Sequence, residues 1–144
     1  MTSSSPIIIE RTINAPLEKV WKAITDPEQM KQWYFDIPGF KPEVGFQFQF
    51  TGEGKTGTKF VHHCRIIEVI KHKKLKHSWN YEGYNGNSLI TFELFDERGK
   101  TKVKLTHEGL ESFPVTADND FAKENFLEGW TYIVGTALKE FTEK

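Results

Sequence analysis

Between residues 122 and 141 the chain carries an apolar stripe, Ala122, Phe126, Trp130, Ile133, Val134, Ala137, Leu138 and Phe141, at spacings of three and four. That is one face of an α-helix about five turns long. Asp118 and Asp120 precede it, where a side-chain cap and negative charge favour a helix start. A helix with so long an aromatic stripe needs an equally wide apolar surface opposite it, and this requirement constrains the rest of the chain.

The surface is supplied upstream, where the apolar period changes to two. Phe46, Phe48 and Phe50 alternate with Gln47 and Gln49, the pattern of a half-buried strand. A turn is expected over Gly52-Glu53-Gly54-Lys55-Thr56-Gly57, followed by strands over 60–70, 75–81, 89–95 and 101–108. Turn signals at Lys71-His72-Lys73-Lys74, at Gly83 to Asn87 and at Glu97-Arg98-Gly99 separate them, and such short connections make an antiparallel meander. Leu75, His77 and Trp79 share one face, as do Val103, Leu105 and His107, with lysine, serine and threonine opposite. Before the meander, Ile7 to Ile13 reads as a strand, and Asn14 is the expected cap of a helix bearing Leu17, Val20, Trp21 and Ile24. Thr25-Asp26-Pro27 interrupts that helix, and Pro27 opens a second short one through Met30 towards Trp33. The expected fold class is α+β. A curved antiparallel sheet grips the C-terminal helix, and residues 1–144 form a single domain without repeats or an internal linker.

The charge balance, 19 Lys+Arg against 20 Asp+Glu, leaves no global field to draw nucleic acid or an anionic membrane. Cys64, the single cysteine, has no internal disulfide partner, so packing must stabilise the fold and a reducing compartment is expected. The amino terminus lacks a basic region followed by an apolar run, and no stretch approaches the about 20 apolar residues of a membrane helix. A cytoplasmic location without membrane insertion is the expectation.

The order of elements is similar to the helix-grip fold of the START-like (SRPBCC), birch-pollen-allergen-like superfamily. Ile13-Asn14-Ala15-Pro16-Leu17-Glu18-Lys19-Val20-Trp21, with Thr25-Asp26-Pro27 and Trp33, resembles the opening of bacterial homologues of the activator of the ninety-kilodalton heat-shock chaperone ATPase. Thr106-His107-Glu108-Gly109-Leu110 and Gly129-Trp130 match later stretches of that family. The resemblance implies a cavity between helix and sheet that takes a small hydrophobic molecule, lipid-like or polyketide-like, and a link to the stress response. It also implies a second reading, a co-chaperone-like module with a chaperone partner. A third is an enzyme of the cyclase, aromatase or hydrolase kind with His62 or His77 as acid or base.

The residues expected to line such a cavity are Trp33, Phe48, Phe50, Phe60, His62, His77, Trp79, Phe92, Phe126 and Trp130. A packed core would account for the same aromatic set, and a hydrogen-bonded structural role would account for the histidines. No catalytic residue, metal site or cofactor is assigned. His62 and His63 are adjacent in a strand and point to opposite faces, and neither Cys-x-x-Cys nor His-Glu-x-x-His occurs. Cys64 reads as a buried small hydrophobe, and the glycines at 52, 54 and 57 lack the Lys-Ser/Thr ending of a phosphate loop.

Overall fold

The computed structural model describes residues 6–53, 59–113 and 123–144. The turn expected at Gly54 to Gly57, the caps Asp118 and Asp120, and Ala122 lie outside the described residues. Six strands, β1 (Ile7–Ile13), β2 (Gln47–Glu53), β3 (Lys59–Ile70), β4 (Lys74–Tyr81), β5 (Ser88–Glu97) and β6 (Lys100–Glu108), form one antiparallel sheet in the order β1-β6-β5-β4-β3-β2. Gly52 and Glu53, expected in a turn, continue β2 and pair with Phe60 and Lys59.

This topology positions everything else. Because β1 and β2 occupy opposite edges, the chain between them must cross the whole sheet. It does so as α1 (Leu17–Thr25), α2 (Pro27–Trp33) and an irregular segment over 34–46. Val20, Ala23 and Ile24 of α1 and Met30 of α2 are buried, and α1 packs on β5 and β6. The cap of α1 is Pro16, whose carbonyl accepts from the amides of Lys19 and Val20. Asn14 does not cap it; its amide instead donates to Glu143 Oε2 at 2.7 Å, tying the start of the crossing to the end of the chain. Asp26 caps α2 by accepting from the Glu28 amide, with Pro27 in the first turn. The Trp33 indole donates to the Ala23 carbonyl at 2.9 Å and locks α2 against α1.

The C-terminal helix consists of α3 (Lys123–Tyr132), a π-helical stretch (Ile133–Leu138) and α4 (Lys139–Glu143), continuous through right-handed helical backbone at both joints. Its buried row is Trp130, Val134, Leu138 and Thr142. In a regular α-helix a repeat of four drifts about 40° per step around the axis. The wider π turn reverses that drift, so the row keeps facing the sheet. Thr142 lies outside the expected stripe; it is buried because the π segment carries it round, and its hydroxyl donates to the Leu138 carbonyl at 2.8 Å.

Candidate functional site

Strand alternation aims Phe48, Phe50, Phe60, His62, His77, Trp79 and Phe92 at the core, where all are buried together with Trp130. Trp33 and Phe126 are half-buried at its margin. The ten residues do not share one space; they divide into three neighbourhoods along the concave face.

Under α1 and α2 lies a cavity. Ile24 of α1, Met30 and Trp33 of α2, and Tyr34 and Phe40 of the irregular segment form its roof. Phe48 of β2, Leu75 and His77 of β4, and Phe92 of β5 form its floor. Its packing leaves ≈ 10 Å³ for the centre of a water-sized sphere, about the threshold for a single water. No charged side chain lines it. Two polar groups do. The His77 Nδ1 hydrogen goes to the Ser78 carbonyl at 2.8 Å, so in the neutral ring Nε2 carries the lone pair. Tyr34 is half-buried as a residue, but its hydroxyl is buried and has no hydrogen-bond partner among the described residues. Burial first, and then the neighbouring Cys64 and Tyr81, raise the Tyr34 pKa well above the ordinary value.

The capture of the Ser78 carbonyl by His77 is felt in the sheet. Between the His63/Asn80 and Ile66/His77 pairs the β3–β4 ladder is interrupted, and the Arg65 amide donates to Ser78 Oγ at 2.9 Å. A groove of about 370 Å³ opens there, lined mostly by polar residues such as Gln47, Gln49, Arg65 and Asn80.

In the middle neighbourhood the rings pack on one another. The His62 ring stacks on Phe50 at 4.5 Å and meets Trp79 edge-on at 4.7 Å, while Nδ1 lies 3.3 Å from the Phe50 carbonyl. A Cβ at Gly52 would approach His62 Cε1 to 2.9 Å. The ring is wedged and cannot retreat, so Gly52→Ala is expected to cost about 1–3 kcal/mol of stability, read as a lower urea midpoint.

At the far end Trp130 and His107 join helix to sheet. Trp130 Nε1 donates to His107 Nδ1 at 3.0 Å, which leaves the His107 hydrogen on Nε2, 2.8 Å from Ser88 Oγ. Ser88 in turn donates to the Trp79 carbonyl at 2.7 Å. Every donor in this relay has an acceptor, so the neutral imidazole is fully satisfied. Phe126 packs edge-on against His107 at 5.3 Å, and Phe60 against Tyr81 at 5.5 Å.

Burial is the main cause of the depressed histidine basicity. It lowers His77 to about 4 and His62 to about 4; for His62 it outweighs the hydrogen bonds to the Phe50 and Phe60 carbonyls. For His107, burial and then the proximity of His77 lower the value to about 3. At neutral pH all three are uncharged. A base this weak transfers protons poorly near pH 7. Cys64 is buried, and burial pushes its thiol up, away from the thiolate form. Among the described residues no cluster of three His, Cys, Asp or Glu could hold a metal, and no helix is long and apolar enough to cross a membrane.

Tyr34 and His107 were not among the expected lining residues. The signal for His107 is its place on the inner face of β6 with Val103 and Leu105. Tyr34 lies in the Trp33-Tyr34-Phe35 run, but no periodicity beyond α2 indicates which way it points.

The family model described as Activator of Hsp90 ATPase homolog 1-like protein matches residues 14–143. The chain belongs to this family. Among solved structures, the chain is similar to protein CV1439 from Chromobacterium violaceum, with 20% identity, a TM-score of 0.81 and 99% of each chain covered. CalU16 from Micromonospora echinospora is 25% identical, with a TM-score of 0.72 over 95% of this chain and 75% of that one. DynU16, from the dynemicin biosynthetic locus, is 18% identical, with a TM-score of 0.77 over 99% of this chain and 48% of that one. No curated protein matches the family member in sequence. Its helix-grip architecture is the one expected from the START-like resemblance.

Proposed function

We propose that this protein binds a small, uncharged, apolar or aromatic molecule beneath α1 and α2. One observation carries the reading. Among the described residues of the aromatic core, an apolar cavity lies under a roof made by the two short helices and the irregular segment 34–46. In the closed form described here there is room for about one water, so a larger guest is admitted by outward movement of that roof. Met30, an unbranched and adaptable side chain, sits in the roof. The origin of the structurally similar DynU16 in a biosynthetic locus is in keeping with the handling of small molecules.

Naphthalene is expected to bind the intact protein saturably and to alter tryptophan emission, because Trp33 lines the cavity. Ile24→Phe, which fills the space from α1, is expected to weaken that binding about tenfold or more while the circular dichroism spectrum stays native. If neither naphthalene, toluene nor phenol binds the folded protein saturably, the reading is wrong.

A further inference from the structure

We infer that the guest carries a hydroxyl group, as an alcohol or a phenol, which bridges Tyr34 and His77; this rests on the cavity-binding reading above. Tyr34 brings a buried O–H whose oxygen has no hydrogen-bond partner among the described residues. His77 lines the same cavity, and because its Nδ1 hydrogen is committed to the Ser78 carbonyl, Nε2 is available only as an acceptor. One side chain therefore donates and the other accepts. A hydroxyl oxygen answers both at once, accepting from Tyr34 and donating to Nε2. A carbonyl or an ether accepts but cannot donate, and leaves His77 unsatisfied. A carboxylate brings a charge into a lining with no cationic side chain, and the neutral imidazole cannot compensate it. An ammonium meets no carboxylate there. A pure hydrocarbon fills the apolar volume, leaves the buried Tyr34 hydroxyl unpaired and gives His77 Nε2 nothing to accept.

The test is calorimetric titration of the intact protein with toluene, phenol and benzoate, which share one ring and differ in the group it bears. Phenol is expected to bind at least about tenfold tighter than toluene, with benzoate weaker than both. Tyr34→Phe, which removes only the unpartnered oxygen, is expected to bring phenol within about threefold of toluene. Toluene binding as tightly as phenol in the wild-type protein, or benzoate binding tightest, overturns the hydroxyl assignment and leaves the cavity reading standing. Absence of binding by all three and by naphthalene overturns the cavity reading itself. If Tyr34→Phe does not fold, the wild-type ratio of phenol to toluene decides the matter. If phenol outbinds toluene but Tyr34→Phe leaves that ratio intact, the hydroxyl is held by another group and the assignment to Tyr34 is wrong.

Discussion

Between about pH 7.5 and about pH 5 the protein is expected to lose about 6 kcal/mol of folding free energy, because three histidines are buried in the uncharged form. In the unfolded chain each titrates near the ordinary value of 6.5; in the folded protein His62 and His77 are lowered to about 4 and His107 to about 3. The sign follows from which state holds more protons. Above 6.5 both states are neutral and the stability is fully present. As the pH falls below 6.5 the unfolded chain takes up protons that the folded one refuses, and stability declines until the folded values are reached. At about pH 5 each histidine favours unfolding by about 2 kcal/mol, so the three together rival the 5–15 kcal/mol that holds a typical domain folded. The window lies above the ordinary carboxylate range, so acidic side chains contribute little to it. Urea melts at the two pH values check this. A midpoint that stays constant would mean that the three rings are accessible to protons in the native state. His62→Gln is expected to flatten the dependence by about one proton in three.

These histidines also mark where the sequence is readable and where it is not. His77 and His107 fall in strict alternation with Leu75 and Trp79, and with Val103 and Leu105, so strand periodicity places them inside. The strands, the short crossing helices and the C-terminal helix are legible for the same reason: one period per element, with turn residues between. What periodicity cannot state is which inward residues share a space. Trp33, Phe48, His77 and Phe92 surround the cavity, whereas Trp130 and Phe126 pack around His107. That division depends on the path of α2 and of residues 34–46 across the sheet. The path is set by β1 and β2 lying at opposite edges, a long-range pairing that leaves no local mark on the chain. The π-helical stretch is similar. A row spaced by four reads locally as ordinary helix, and only the need to keep Trp130, Val134, Leu138 and Thr142 on the sheet demands the wider turn.

Trp130→Ala is expected to cost about 4 kcal/mol or more. The side chain is buried against the rings of Trp79 at 5.4 Å, His107 at 5.9 Å and Phe92 at 6.2 Å, so truncation opens a cavity where the helix meets the sheet. It also takes the hydrogen-bond donor from His107 Nδ1. Trp130→Phe separates the two effects: it keeps much of the ring and removes the indole N–H, at an expected cost of about 1–3 kcal/mol. The second variant has a consequence that lost packing alone would not produce. In the wild-type protein His107 cannot accept a proton at Nδ1 without displacing the Trp130 N–H, because Nε2 already faces Ser88. With phenylalanine at 130 the lone pair is released, so the folded-state pKa of His107 should rise and the loss of stability between about pH 6.5 and about pH 5 should become shallower by up to one proton's worth. Trp130 does not line the cavity, so the folded Trp130→Phe protein should keep its naphthalene affinity within about twofold. Urea melts of this variant at several pH values, with naphthalene titration alongside, test both statements. An unchanged pH slope would show that the indole does not control His107. A large loss of binding would place Trp130 in the ligand site rather than in the joint between helix and sheet.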